Sequence, residues 1–175
     1  MVQSIGVCYG VIGNNLPSPS DVVQLYKSNG IDSMRIYFPR SDILQALSGS
    51  SIALTMDVGN DQLGSLASDP SAAAAFVQNN IQAFPGVNFR YITVGNEVSG
   101  GDTQNILPAM QNMNSALSAA GLGNIKVSTS VSQGVTAGFP PSAGTFSASH
   151  MGPIAQYLAS TGAPLLANIY PYFAY

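Results

Sequence analysis

Charge is scarce in this 175-residue chain. Charged side chains make up 7% of the residues, and five Lys and Arg against eight Asp and Glu give a net charge of −3, whereas ordinary globular domains are about 25% charged. Nucleic acids and anionic membranes bind clustered basic side chains, so we expect neither as a partner. The hydrophobic share of 46% is too high for a disordered chain. One domain over residues 1–175 is therefore expected.

Cysteine, tryptophan and long apolar runs are also missing or rare. The single cysteine, Cys8, excludes an internal disulfide framework and leaves no Cys/His metal cluster, so no metal or cofactor is expected. Cys8 lies in an apolar strand pattern, which predicts a buried, inert thiol. No run approaches the roughly 18 to 20 apolar residues of a membrane-spanning helix. No signal peptide is evident, which fits either a secreted protein after processing or a cytosolic one.

Six short apolar runs, rich in β-branched and aromatic residues, recur along the chain. Each is typical of a parallel strand that is covered on both faces. They span residues 5–10, 33–38, 51–59, 89–97, 126–132 and 164–173. Helix patterns separate most of them, with N-caps predicted at Ser18 or Ser20 and at Asp69, and with C-terminal stops predicted at Gly30, Gly121 and Gly162.

Strict alternation of strand and helix fits either a doubly wound sheet or a βα barrel. Gly10 and Gly13 follow the first strand, but the third glycine of a dinucleotide fingerprint is missing. Polar and aromatic residues gather at the C-terminal ends of the strands, where barrel active sites are built. A complete barrel has eight strands and about 250 residues. We therefore predict an α/β fold of the (β/α)8 TIM-barrel type, which is either truncated after the sixth strand or has strands that this count misses.

Glu97 is the only Glu in the chain, and it ends the apolar strand "YITVGNE". Partial desolvation at this place would raise the pKa of its carboxyl, as a general acid for glycosidic bonds requires. The amide of Asn96 beside it could hold a sugar hydroxyl or a second carboxylate. A simply solvated strand-end Glu is the alternative, and the position of Glu97 at a barrel mouth favours catalysis.

Aromatic residues lie at or beyond the strand ends. Aromatic rings stack on the apolar faces of sugars, and phenol hydroxyls bond sugar hydroxyls, while ordinary core filling is expected for about half of such residues. With no Trp in the chain, Tyr and Phe would have to form any sugar platform. The candidates are Tyr37, Tyr170, Tyr172, Phe173 and Tyr175.

Four further ionisable residues have two interpretations each. Arg35, inside a strand, could orient an active-site carboxylate or form a salt bridge at the barrel rim. Asp57 and Asp61 could bind sugar, but "DVGND" is also a good turn sequence, and we favour the turn. The lone His150 precedes a helix pattern without a discernible catalytic partner, so a surface or cap role is expected.

Several motifs together resemble plant endo-β-1,3-glucanases of glycoside hydrolase family 17, which also includes cereal 1,3-1,4-β-glucanases. These motifs are "IGVCYG", "MRIYF", "VGNEV", "ILPAMQNMNSAL", "KVSTSVS", "FPPSAGTF" and "LLANIYPYFAY". The resemblance runs from about residue 5 to the last residue. It implies a (β/α)8 barrel and retaining hydrolysis of β-1,3-glucan by two glutamates. It also implies secretion to the apoplast or vacuole, and a role in plant defence or cell-wall glucan turnover.

The resemblance also implies roles for individual residues. Glu97 matches the general acid/base, and Asn96 matches the neighbouring residue that contacts the sugar at the scissile bond. The stretches that line the cleft in family members contain Tyr37, Asn168, Tyr170 and Phe173.

One part of the family pattern is missing from these residues. The family nucleophile is a Glu on the seventh strand, in a motif like "ESGWP", and no such motif occurs here. We therefore expect the 175-residue chain to be inactive by itself and its first and sixth strands to have open edges. A mixed-linkage 1,3-1,4-β-glucanase and a non-catalytic glucan-binding module on the same scaffold are the alternatives. The sequence does not determine the oligomeric state.

Overall fold

The computed structural model describes residues 5–138 and 140–174 of the chain. Six of its strands form one parallel sheet with the order β1-β2-β3-β4-β5-β8. Two very short strands, β6 and β7, pair antiparallel with each other. The bounds are β1 (Gly6–Cys8), β2 (Ser33–Ile36), β3 (Ala53–Val58), β4 (Asn88–Asn96), β5 (Lys126–Ser132), β6 (Thr136–Ala137), β7 (Thr145–Phe146) and β8 (Leu166–Asn168).

The strand order decides between the two predicted architectures. A doubly wound sheet reverses its strand order at a switch point, whereas here each strand of the main sheet pairs with the sheet strand that precedes it in the chain. All of these pairs are parallel, as barrel strands are. The described residues therefore form six strands of a barrel-type sheet, and the prediction of a truncated TIM-type barrel is confirmed.

Six α-helices accompany the sheet in the described residues. Ser18 begins the first as its N-cap, because its hydroxyl accepts the backbone N–H of Asp21 at 3.2 Å. Asp69 caps the fourth helix in the same way through the N–H of Ser71. The bounds are α1 (Pro19–Ser28), α2 (Ser41–Leu47), α3 (Leu63–Ser68), α4 (Pro70–Val77), α5 (Ile106–Ala119) and α6 (Met151–Thr161).

The helix ends follow the predicted glycines. Gly30, Gly121 and Gly162 all have positive φ and lie within two residues of the ends of α1, α5 and α6. Short α3 was not predicted, and α4 continues into a π-helical turn at Gln78–Gln82. Short 3-10 helices occupy Asn60–Gln62, Gly100–Asn105, Gln133–Val135, Pro141–Ala143 and Pro171–Ala174. None of the described helices is both long and apolar enough to cross a membrane.

The core lies between the sheet and its helices. The central strands β3, β4 and β5 supply buried side chains such as Leu54, Ile92 and Val127, and α5 packs Met110 and Met113 against them with no exposed surface. The free energy of folding therefore rests on the middle of the sheet, where apolar burial is most complete.

Cys8 departs from its prediction. The thiol was expected to be buried, but Cys8 is exposed, as are both other residues of β1. The reason is position, because β1 is a three-residue strand whose one pairing partner in the described residues is β2. An edge strand of that length cannot be covered as the central strands are.

The Pro/Gly/Ser-rich segment 132–149 is more ordered than the predicted loop. It contains two 3-10 turns and the β6–β7 hairpin, whose register pairs Thr136 with Phe146. His150 follows at the N-cap position of α6, where its side chain makes no capping hydrogen bond. The predicted placement of His150 is correct, but its side chain does not cap the helix.

Candidate active site

An ion pair lies at the centre of the candidate site. Arg35 on β2 donates from Nε to Oδ1 of Asp57 at 3.2 Å and from Nη2 to Oδ2 at 2.6 Å. Asp57 on β3 is completely buried. Of the two interpretations of Arg35, the salt bridge is the one that forms. The turn predicted at Asp57 is wrong, because this residue lies inside β3, while Asp61 does lie in the turn that follows.

Burial and pairing shift the pKa values of Arg35 and Asp57 in opposite directions. Burial raises the pKa of Asp57, and the hydrogen bonds and charge of Arg35 offset only part of that rise. Burial lowers the pKa of Arg35, but its hydrogen bond and charge interaction with Asp57 more than compensate, so its pKa is raised. The guanidinium therefore remains a permanent cation in the sheet interior.

Two asparagines connect the guanidinium to the strand ends. Nη1 of Arg35 donates to Oδ1 of Asn168 at 3.0 Å, and Nη2 donates to Oδ1 of Asn96 at 3.0 Å. Nδ2 of Asn168 also donates to Oδ1 of Asn96 at 3.0 Å. Ser130 on β5 is a further acceptor, with its hydroxyl 2.8 Å from Nη2 of Arg35. One cation thus joins β2, β3, β4, β5 and β8 into a single polar network.

Glu97 follows β4 directly and lies at the edge of this network. Its Oε1 accepts the amide of Asn168 at 2.7 Å and the hydroxyl of Tyr170 at 3.3 Å. The expected desolvation of Glu97 is not found, because the residue is exposed. Hydrogen bonds to an anionic oxygen, rather than burial, are what orient this carboxylate.

The backbone turns sharply where Glu97 leaves the sheet. Gly95 has φ of 84° and Glu97 has φ of 52°, a conformation that non-glycine residues rarely adopt. The β4–β5 register shifts between Thr93 and Asn96, so β4 carries one extra residue opposite β5. A Cβ added to Gly95 would lie 2.8 Å from Cγ2 of Val98, so this turn requires glycine. The irregularity redirects the chain so that Glu97 points out of the strand mouth.

Tyr37 directly follows β2 and lies against the guanidinium of Arg35. Its ring centroid is 5.0 Å from the guanidinium carbon of Arg35, within cation–π range, and the side chain remains partly exposed. The pKa of Tyr37 is raised to about 12, first through a hydrogen bond with the side chain of Cys8 and then through burial. The phenol is therefore neutral at physiological pH, and its hydroxyl is engaged with the side chain of Cys8.

The remaining aromatic candidates follow β8 in the chain. Tyr170 is exposed beside Glu97, and Tyr172 is 85% exposed. Phe173 belongs to the turn Pro171–Ala174, but its side chain lies outside the part of the structure that is described, as does the whole of Tyr175.

Sequence reasoning missed Ser130 altogether, and it placed Asn60 at a strand end without its contact to the backbone of Asn96. The amide of Asn60 contacts the backbone of Asn96 twice, at 2.8 and 2.9 Å. The run "KVSTSVS" did contain a signal for Ser130, because three consecutive polar residues in an apolar strand require buried partners. Among the described residues, no group of His, Cys, Asp or Glu has the arrangement of a metal site.

Comparison with known proteins places this geometry in a family. The profile of glycosyl hydrolases family 17 matches residues 5–175. The chain belongs to glycosyl hydrolases family 17. A family 17 relative from Zea mays, the acidic isoform of glucan endo-1,3-beta-glucosidase, is 69% identical over 99% of this chain and 52% of its own length. Lichenase-2 of Hordeum vulgare is 57% identical over 99% of this chain and 57% of its own length.

Solved structures of family 17 members have the same fold. A plant beta-glucan endohydrolase from a study of two enzymes with distinct substrate specificities superposes with a TM-score of 0.95 at 57% identity, covering 97% of this chain and 57% of its own. A beta-1,3-glucanase and allergen of Cryptomeria japonica pollen gives a TM-score of 0.93 at 41% identity, covering 99% of this chain and 57% of its own. The chain therefore spans about half the length of the family 17 relatives it matches.

Proposed function

We propose that the complete protein is a retaining endo-1,3-β-glucanase in which Glu97 is the general acid/base. The observation that supports this most directly is the orientation of the Glu97 carboxylate, which Asn168 and Tyr170 hold at the C-terminal edge of a barrel-type sheet. That edge is where barrel enzymes build their active sites. The Zea mays relative bears the name of this activity.

The reaction assigns Glu97 two successive tasks. In the first step, protonated Glu97 gives its proton to the glycosidic oxygen while a second carboxylate attacks the anomeric carbon, forming a covalent glycosyl-enzyme. In the second step, ionised Glu97 takes a proton from the water that releases the sugar with retained configuration.

The second carboxylate is not Asp57. Its two oxygens are engaged by Arg35, and the residue has no exposed surface from which to reach a sugar. Retaining enzymes need their two carboxyl groups about 5 to 5.5 Å apart across the bond. The proposal therefore concerns a protein that supplies a nucleophile in addition to these 175 residues, within one catalytic domain and without a cofactor.

Five residues are proposed to bind the glucan. Oδ1 of Asn96 is engaged by Arg35 and Asn168, so we assign its Nδ2 to a sugar hydroxyl. Tyr37 and Tyr170 present partly exposed rings to the mouth of the sheet, which suits stacking on a sugar ring. Asn168 and Phe173 are included because the family resemblance places them in stretches that line the cleft. On the same ground, we propose secretion to the apoplast or vacuole.

Hydrolysis of mixed-linkage 1,3-1,4-β-glucan is the second candidate function. It is favoured by the 57% identity to Lichenase-2 of Hordeum vulgare. The ratio of kcat/KM on laminarin to kcat/KM on barley mixed-linkage glucan would separate the two. A ratio above one favours the 1,3-specific assignment, and a ratio well below one favours the lichenase assignment.

Glu97→Gln in the complete protein tests the proposed role. The amide keeps the shape of the side chain but cannot donate a proton as an acid or accept one as a base, so kcat on laminarin should fall by at least about 10²-fold. Reducing-sugar release measures kcat, and proton NMR of the first products determines the anomeric configuration.

Asp102→Asn is the matched control for loss of one carboxylate. Asp102 lies five positions further along the chain and is exposed in the turn Gly100–Asn105, so its variant should keep wild-type turnover. Undiminished hydrolysis by Glu97→Gln, or products of inverted configuration, would refute the proposed mechanism.

A further inference from the structure

The side chain of Asn60 holds the backbone of Asn96 through a pair of hydrogen bonds. Its Oδ1 accepts the N–H of Asn96 at 2.8 Å, and its Nδ2 donates to the C=O of Asn96 at 2.9 Å. Strand β3 ends at Val58, whose partner on β4 is Val94. The Asn60 amide therefore continues the pairing of β3 with β4 by two residues, using a side chain where the backbone ladder has stopped.

The peptide that Asn60 holds lies next to strained backbone. Positive φ angles flank Asn96 on both sides, at Gly95 and at Glu97. For Glu97 this left-handed conformation is unfavourable unless neighbouring contacts enforce it. Enforcement comes from both neighbouring strands, because the N–H of Glu97 donates to the C=O of Ser130 on β5 at 2.9 Å. Asn60 provides the restraint from the β3 side.

We propose that Asn60 is a positioning residue for Glu97. Losing its amide would release the Asn96 peptide on the β3 side and let the chain relax from the positive φ at Glu97. The carboxyl would then leave the place where Asn168 and Tyr170 hold it. Misplacement of a catalytic group by about 1 Å can cost on the order of 10²-fold in rate. This inference rests on the proposed role of Glu97 as general acid/base.

A positioning role for Asn60 predicts that the activity of its variants depends on the leaving group of the substrate. In the glycosylation step, which kcat/KM reports, a displaced general acid slows the cleavage of those glycosidic bonds whose leaving group must be protonated. A sugar alkoxide leaving from laminarin needs that proton, whereas 2,4-dinitrophenolate leaves without it. The loss of activity in an Asn60 variant should therefore depend on the leaving group, which damage to the fold alone would not produce.

The experiment compares two substrates in the complete protein carrying Asn60→Ala. We expect kcat/KM on laminarin to fall by about 10- to 100-fold. We expect kcat/KM on 2,4-dinitrophenyl β-laminaritrioside to fall by less than about threefold, since its departure needs no acid. Asn60→Asp provides a second variant, because it keeps the acceptor for the Asn96 N–H but places an oxygen against the Asn96 carbonyl. In Asn60→Asp too, kcat/KM should fall more on laminarin than on the dinitrophenyl substrate.

Asn112→Ala is the matched control. Asn112 also donates its side-chain amide to backbone carbonyls of another element, those of Leu66 at 2.8 Å and Ala67 at 3.2 Å. It lies on α5 and, in the described part of the structure, its side chain donates to these two carbonyls and not to a residue of the site. Its variant should reduce thermal stability while changing kcat/KM on both substrates by the same small factor.

Parallel measurements on Glu97→Gln separate two kinds of failure. If Glu97→Gln shows the leaving-group dependence and the Asn60 variants lose both substrates equally or neither, the positioning role is refuted and the proposed function stands. If Glu97→Gln hydrolyses laminarin normally, the proposed function fails and the inference about Asn60 fails with it. If Asn60→Ala does not fold, the result for Asn60→Asp decides.

Discussion

Thr93 carries a buried hydroxyl that lacks a hydrogen-bond partner among the described residues. It lies in the middle of β4, with no exposed surface, and its register partner on β3 is Asp57. An unsatisfied buried hydroxyl costs about 1 to 3 kcal/mol. The hydroxyl lies close enough to Asp57 to oppose the rise in the pKa of that carboxyl, but it forms no hydrogen bond of normal geometry. The polar interior of the sheet is therefore satisfied around the Arg35 cation but not at Thr93.

Thr93→Val should stabilise the protein. Valine has nearly the same shape and removes the unsatisfied hydroxyl, so the free energy of unfolding should rise by about 1 kcal/mol. Urea denaturation of the variant and the parent, at equal m-values, measures the difference. A loss of stability would instead mean that the hydroxyl donates to the neighbouring Asp57 carboxylate.

Single residues show which parts of the site can be predicted from sequence. The position of Glu97 at the mouth of the sheet was predictable because a unique residue at the end of an apolar strand is a local signal, and the family resemblance placed Asn168 in a stretch that lines the cleft. The role of Asp57 was not predictable, because "DVGND" has the local composition of a turn. Its true partner, Arg35, is 22 residues away, and no local pattern reports that pairing.

The ends of the helices depend on the backbone conformation of single glycines. Gly162 ends α6 with φ of 65°, in the left-handed region. Gly64 lies within α3 and does not have positive φ. A Cβ added at either position would meet no atom within 4 Å. The two residues therefore differ in conformation but not in available space.

Gly162→Ala and Gly64→Ala should change stability in opposite directions. Alanine at the left-handed position costs about 1 kcal/mol or more, whereas alanine in an exposed helix gains about 0.5 to 1 kcal/mol over glycine. Thermal unfolding of the two variants beside the parent measures both changes. Equal shifts of the same sign would contradict the conformational explanation.

Predictability at this scale follows the range of the interactions. Caps such as Ser18 and Asp69 were predictable because the capping bond reaches only two or three residues along the chain. The β6–β7 hairpin and α3 were not, because two-residue strands and a six-residue helix leave almost no periodic pattern. The exposure of Cys8 depends on which strand lies at the edge, which is a property of the whole sheet.

At the scale of the whole molecule, the 175 residues should not hydrolyse glucan by themselves. Retaining hydrolysis needs two carboxyl groups, and Asp57 is engaged by Arg35. We expect no detectable release of reducing sugar from laminarin by residues 1–175, while the complete protein is active in the same assay. Turnover by the 175 residues that Glu97→Gln abolishes would show that a nucleophile is present among them.

The fold class was the most predictable property of the molecule. Six strand patterns in strict alternation with helices reduced the choice to two architectures, and the gathering of polar residues at one end of the strands favoured the barrel. The consecutive order of the strands then decided it. The strand lengths were overestimated at the edges, where β1 and β8 have three residues each, because an apolar run continues beyond the last ladder bond.

The consecutive strand order also has a consequence for biosynthesis. Each new βα unit that leaves the ribosome finds its pairing partner already in place, so the sheet can grow one strand at a time from its N-terminal side. The candidate active site cannot form strand by strand in this way. Arg35 and Asn168 are 133 residues apart. The hydrogen bond between them can therefore form only after the sixth strand of the sheet has been translated. The fold can begin early, but the polar network around Glu97 is complete only after β8 has been synthesised.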